Sequence, residues 1–249
     1  MNIFVRRHSF NGIFITVPCV VGTLNERDYG DALELHDDAA HGLSGDIFAS
    51  STGDEIRRFL GDEGLSVGVR HQERLICLRT VKTGPEWVKN SLAELGLAQS
   101  IKGRAAITGF CVVAKEFRGN NIQFLSQYYA ENILSRDFDS IATTVSPKNI
   151  FSLQNVLSCG YCITGIKSVY NGYLRYVLKK DFYPDYSVQT HGHMLIPIRK
   201  IPEQKCAIEA GYVGYAVIRR SGGFHILYGK LRPKEDNQRV STDGASRLR

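Results

Sequence analysis

No stretch of this 249-residue chain approaches the roughly 20 consecutive apolar residues that a membrane-spanning helix needs. The first residues hold Arg6, Arg7 and His8 amid β-type sequence, which does not read as a signal peptide. No second Cys-x-x-Cys accompanies the Cys159-Gly-Tyr-Cys162 motif, so a zinc set is incomplete. Nor does that motif open a helix, where the dipole would lower a thiol pKa. Cys159 ends a predicted helix and Cys162 enters a strand. The six cysteines therefore read as structural and point to a reducing, cytoplasmic setting. His191 and His193 flank a glycine, a pattern read as an exposed loop, and no metal is expected. No stripe of interleaved basic and aromatic residues marks a nucleic-acid surface. The formal charge is +6 with a pI near 9.0, a modest field that suits phosphates, an acidic acceptor or RNA without choosing among them.

With 43% hydrophobic residues, the chain can bury one substantial core, or one core and a small appendage. Its most informative stretch is 107–182. An apolar strand (ITGFCVVAKEF) meets a polar turn, Arg118, Gly119, Asn120 and Asn121. A helix then starts near Ile122 and Gln123. Such a turn leaves backbone N–H groups unpaired, and together with the helix dipole these make a site for phosphate. The residues thus suggest a cofactor that carries a pyrophosphate. A second strand (SIATTVS), a second helix opening at Asn149 and a β-rich tail follow.

Upstream, GLSVGV and RLICLRTV flank a polar tip at His71–Arg74 and read as a β-hairpin. Two earlier segments, DYGDALELHDDAAHGL and GDEIRRFLGDEG, have helical apolar spacing. Pro85 suits the first turn of a further helix, PEWVKNSLAELGL. At the N-terminus, Asn11-Gly12 between apolar runs signals a type I′ hairpin. Between His193 and Leu231, short apolar runs alternate with Gly and Pro and read as β. The expected organisation is a β-hairpin extension over 1–22, a central domain over 23–183, a β extension over 184–231 and a disordered tail over 232–249. The terminal β segments suggest a lid or a homodimer interface.

The central stretch resembles the GNAT-type N-acetyltransferase superfamily over roughly 39–182. In that family the phosphate turn reads Arg or Gln, two residues, Gly, one residue, then Gly or Ala. Here Arg118 leads, Asn121 stands at the usual Gly, and Gln123 at the usual Gly or Ala. Asn tolerates a left-handed backbone best among non-glycine residues. Gln123 would either crowd the phosphates or point beside them. The second element, an Asn, a small residue three positions on, then Gly and an aromatic, is matched by Asn149, Ser152, Gly160 and Tyr161. The resemblance implies an α/β fold with a mixed, mostly antiparallel sheet flanked by helices. It also implies acetyl-CoA or another acyl-CoA as cosubstrate, and an amine of a small-molecule or amino-acid-like acceptor.

On that footing Cys111, Val112 and Val113 lie along the pantetheine arm. A bulge or splay would turn a backbone N–H of Val112 or Val113 toward the thioester carbonyl. Arg118, Gly119, Asn120, Asn121, Ile122 and Gln123 face the pyrophosphate, and Asn149 and Ser152 lie against the cofactor. Asn149 is also an N-cap candidate. The family's usual Tyr, seven residues after the Asn, is Val156 here, and its usual Glu falls at about Gly109. Tyr170 is the candidate for the missing side-chain chemistry, against its reading as a packed strand aromatic. Arg175 is either an attractor of an acceptor carboxylate or a surface ion pair. Direct attack in a ternary complex is expected, with Cys111 keeping a covalent relay open. A non-catalytic acyl-CoA-binding domain, or a transferase acting on a protein or aminoacyl-tRNA, remain as alternatives.

Overall fold

The computed structural model describes residues 1–8, 14–189 and 191–234. The chain opens with β1 (Asn2–His8) and β2 (Phe14–Leu24), then α1 (Tyr29–Ala40) and α2 (Gly53–Leu60). A hairpin of β3 (Gly64–His71) and β4 (Arg74–Lys82) leads to α3 (Pro85–Leu95). The middle holds β5 (Ala105–Val113), α4 (Ile122–Leu134), β6 (Ser140–Val145) and α5 (Ile150–Ser158). A second hairpin, β7 (Cys162–Val169) and β8 (Tyr173–Asp181), follows. The last part comprises β9 (Tyr186–Val188), β10 (Met194–Pro197), α6 (Ile201–Glu209), β11 (Tyr212–Arg220) and β12 (Gly223–Pro233).

Local chemistry sets the helix ends. Thr52 and Glu55 close a reciprocal capping box on α2, and Pro85 opens α3 while Gly96, at φ 68°, ends it. The strands form one mixed sheet in the order β1-β2-β3-β4-β5-β6-β8-β7-β11-β12-β10, with β9 added to β12. Every neighbouring pair is antiparallel except β5 and β6. Phe110 packs against His36 of α1 and Phe59 of α2, while its neighbour Cys111 faces Ser126 of α4. Successive strand residues point to opposite faces, so α1 and α2 cover one face and α4 the other.

Three expectations need adjustment. The segment expected as a β extension over 184–231 contains the helix α6, whose start carries Pro202 in the first turn. Its Gln204 is fully buried and accepts from the phenols of Tyr176 (2.8 Å) and Tyr228 (2.9 Å), so a polar hub rather than an apolar stripe anchors this helix. The stretch expected to be disordered from 232 is paired at its start: Arg232 and Pro233 join β9 in β12. The remaining tail and the Asn11-Gly12 turn lie outside the described residues. Finally, β2 runs unbroken through the expected boundary at 22 and pairs with β3 as far as Leu24.

Candidate functional site

The central opening arises where β5 and β6 part. They pair only over Ala105–Ile107 against Ser140–Ala142. Beyond that, β5 follows β4 to Val113 and β6 follows β8 to Val145. A β-bulge sharpens the divergence, because the β4–β5 register shifts between Arg79 and Val81. There the Thr80 hydroxyl accepts from the Phe110 N–H at 3.0 Å, replacing a ladder bond.

Gly109 is the residue that lets the bulge close. A Cβ at this position would lie 2.5 Å from Phe59 Cζ and 2.5 Å from Thr80 Oγ1. The place where the family's usual Glu was expected is therefore filled by other side chains. Past the bulge the antiparallel ladder resumes, with the Ala114 N–H donating to the Ile76 carbonyl at 2.9 Å. Hydrogen-bonded pairs alternate along such a ladder. Val112, opposite Leu78, therefore belongs to the ladder, and the N–H groups of Cys111 and Val113 face the gap. Of the two valines expected to offer a donor, the register selects Val113.

The turn after β5 has the open backbone donors that an anion site, expected from the sequence, would need. Gly119 (φ 82°) and Asn121 (φ 57°) are left-handed, and Asn121 stands at the N-cap of α4 without capping it by its side chain. Among the described residues the N–H groups of Gly119, Asn120 and Asn121 have no protein acceptor. Those of the first turn of α4 have no intrahelical one. Arg118 is exposed at the mouth, with its Nε donating to the Val113 carbonyl at 3.0 Å. Ile122 is 2% exposed and anchors the helix in the core.

Asn120 turns away from the mouth. Its Oδ1 accepts from the Arg6 N–H at 2.8 Å and its Nδ2 donates to the carbonyls of Arg6 (2.5 Å) and Phe117 (2.9 Å). It thus ties the turn to the edge strand β1. Gln123 does not crowd the phosphate position. Its side chain reaches toward α5, accepting from Asn155 at 2.9 Å and donating to Ser152 Oγ at 3.3 Å. Asn149 caps α5, its Oδ1 accepting from the Ser152 N–H at 3.1 Å.

Tyr170 occupies the turn between β7 and β8 with φ 52°, and Asn171 follows at 64°. A tyrosine at positive φ is a genuine outlier, and such strain concentrates at functional sites. Its hydroxyl shares a 3.2 Å hydrogen bond with Thr144 Oγ1 on β6. The residue is 38% exposed, but desolvation of its hydroxyl still pushes its pKa up, and the phenol keeps its proton. Arg175 is 3% exposed, lines the cleft and is not a surface ion pair. It donates to the backbone carbonyls of Gly45 (2.6 Å) and Asp46 (2.7 Å) and so clamps the α1–α2 loop over the site.

All the site residues expected from the sequence, Cys111, Val112, Val113, Arg118–Gln123, Asn149, Ser152 and Tyr170, line one cleft of about 830 Å³. That volume lies within the range of ligand pockets. Sequence reasoning missed Arg79, Thr143, Thr144 and the apolar wall of Leu43, Ile47, Phe48 and Phe110. Arg79 carried a signal, since it is the charge inside the otherwise buried run of β4. Cys159 and Cys162 are both pushed to about 11, by burial first, which argues against a redox pair. Among the described residues no three His, Cys, Asp or Glu gather as a metal set, and no helix is long and apolar enough to cross a membrane.

No protein-family model matches this chain, and no curated protein matches it in sequence. Solved structures do match in fold. Arabidopsis thaliana NAA60 in complex with acetyl-CoA superposes with a TM-score of 0.54 at 13% identity, covering 66% of this chain and 98% of that one. An N-acetyltransferase from Staphylococcus aureus Mu50 gives 0.50 at 15% identity, over 66% and 97%. The ribosomal-protein-S18-alanine N-acetyltransferase from Escherichia coli gives 0.50 at 9% identity, over 70% and 97%. The chain has the GNAT-type fold.

Proposed function

We propose that this protein is an acyl-CoA-dependent N-acyltransferase that moves an acyl group, most simply acetyl, to an amine of a small-molecule or amino-acid-like acceptor. The observation that carries the reading is the juxtaposition of a strand splay with the open N-terminus of α4 in one cleft. The splay offers two free N–H groups for an extended amide chain and a thioester carbonyl. The helix terminus offers donors and a positive dipole for the pyrophosphate. Arg118 at the mouth adds a permanent cation for phosphate oxygens. Asn149 and Ser152 form the wall opposite, on the first turn of α5.

The far end of the cleft, under the clamped α1–α2 loop, is lined by Leu43, Ile47, Phe48 and Phe110 and suits an acceptor with an apolar body. Tyr170, protonated and anchored by Thr144, is positioned to hydrogen-bond the acceptor or the departing sulfur. The six unpaired thiols support a reducing compartment such as the cytoplasm. The test is release of free CoA from acetyl-CoA across a panel of amines, amino acids and peptide N-termini. Turnover with one acceptor class, reduced in Tyr170→Phe, supports the reading.

A second reading, a domain that binds acyl-CoA without transferring it, draws on one observation: neither Gly109 nor Val156 carries an acid or base. It predicts saturable donor binding with no CoA release on the same panel.

A further inference from the structure

On the α4 face of the sheet, beside the donor cleft, lies a cluster that the transfer described so far leaves unused. Cys111 Sγ lies 3.9 Å from Cys77 Sγ and 3.8 Å from Ser126 Oγ. Arg79 stands directly opposite Cys111 in the β4–β5 register, a spacing that lets the two side chains interact. The Arg79 side chain is 2% exposed. Its Nε donates to Ser126 Oγ at 3.0 Å and its Nη2 to the Gln123 carbonyl at 2.8 Å. Among the described residues its Nη1 has no partner and no carboxylate forms an ion pair with it.

A buried cation without an anion is costly, and the anion within reach is the Cys111 sulfur. The hydrogen bond from Cys77 brings the Cys111 pKa down to about 6 despite burial, with Arg79 and Ser126 adding to the effect. The same contact, joined by burial, holds Cys77 well above its ordinary value. Cys111 lines the cleft, and its own N–H faces the splay.

We propose that Cys111 is a covalent acyl relay, with Arg79 and Cys77 as the residues that hold its thiolate. The proposal rests on the acyl-CoA reading above and replaces the single direct attack with two steps. In the first, the Cys111 thiolate attacks the thioester carbonyl carbon and a new S–C bond forms. The bond to the CoA sulfur breaks, and CoA leaves as a thiolate that takes a proton from water. In the second, a neutral amine attacks the Cys111 thioester, the amide bond forms, and the amine's proton passes to solvent. Cys111 returns as a thiolate, a leaving group stable enough to need no general acid. The attacking thiolate needs no base either; with Gly109 and Val156 in place of a base and an acid, the protons of the amine and of the departing CoA are exchanged with solvent.

The experiment needs no acceptor. The protein is mixed with acetyl-CoA and isotopically labelled free CoA, and the label appearing in acetyl-CoA is followed beside the intact protein mass. A relay exchanges the label and carries one acetyl group that hydroxylamine removes. Cys111→Ala, which melts lower because Arg79 loses its anion but is checked to be folded and to bind acetyl-CoA at the assay temperature, shows neither. Cys111→Ser repeats the test with the shape of the side chain kept. Arg79→Gln slows exchange and moves the pH midpoint of Cys111 alkylation upward, which loss of packing alone does not do. If the wild type binds acetyl-CoA yet shows no exchange and no adduct, the relay is wrong while the transferase reading stands. The same follows if Cys111→Ala acetylates an amine at the wild-type rate. If acetyl-CoA does not bind at all, both fall.

Discussion

Replacing Gly109 with alanine tests whether the β-bulge and the missing acidic side chain have one physical cause. The added Cβ would meet the Phe59 ring and the Thr80 hydroxyl at 2.5 Å, inside any real contact distance. Phe59 is 1% exposed and Thr80 fully buried, so neither can swing into solvent. Overpacking of this kind costs about 1–3 kcal/mol, and displacing Thr80 from the Phe110 N–H leaves a buried donor unpaired for a further ~1–3 kcal/mol. The sum expected for Gly109→Ala is about 2–6 kcal/mol of lost stability. In urea denaturation, with a slope of about 3 kcal/mol/M for a chain of this size, the midpoint falls by roughly 0.7–2 M. Gly165→Ala is the matched control, because its Cβ would make only a 3.5 Å contact with Val177. That change is expected to lie near zero or to stabilise slightly through the unfolded chain. Gly109→Glu, which would restore the family's usual carboxylate, is expected to destabilise more than Gly109→Ala and to gain no activity. A Gly109→Ala protein within about 1 kcal/mol of wild type refutes the reasoning, since ordinary surface changes already span ±0.5 kcal/mol.

Further outcomes follow from the same contacts. Gln204→Leu strips two fully buried phenols of their acceptor, at about 1–3 kcal/mol each. The triple variant with Tyr176→Phe and Tyr228→Phe recovers most of that loss in the same melt, because no donor is then left unpaired. Asn120→Ala cuts both bonds to the Arg6 backbone, so the Arg6 amide exchanges faster by hydrogen exchange and acetyl-CoA affinity falls as the turn loosens. Cys111 alkylation is half-maximal near pH 6 rather than near the ordinary thiol value of 9.0. The unfolded chain keeps that proton to higher pH than the folded protein does. Stability therefore rises with pH from about 6 to about 9, and Cys111→Ser flattens that slope in a pH series of melts.

Much of this architecture is legible in the residues because it depends on local patterns. An apolar strand running into Arg118, Gly119, Asn120 and Asn121 and then a helix announces the anion turn without knowledge of the rest of the chain. Asn149 with Ser152 announces a capped helix in the same way. What escaped depends on contacts distant in sequence. Asn120 bonds Arg6, 114 positions away, and only that pairing shows its side chain to be a tether rather than a phosphate ligand. Arg175 serves carbonyls of a loop 129 and 130 positions earlier, a role no ion-pair reasoning could find. Gly109 reads from sequence as a missing catalytic residue, whereas in the fold the Phe59 ring from α2 fills its space. The helix α6 was hidden because its buried anchor is a polar glutamine, although Pro202 followed by Glu203 was a start signal that could have been used.

Thermal unfolding with and without acetyl-CoA shows whether the cleft between β5, β6 and the N-terminus of α4 holds an acyl-CoA. At a hundredfold excess over its Kd, a ligand specific for the folded state adds about 2.7 kcal/mol by mass action. A clear rise in melting temperature is expected for the wild type and little or none for Arg118→Glu, whose carboxylate repels the phosphates at the mouth. No rise with acetyl-CoA, longer acyl-CoAs or free CoA would contradict the acyl-CoA reading, leaving the fold as a scaffold without its donor.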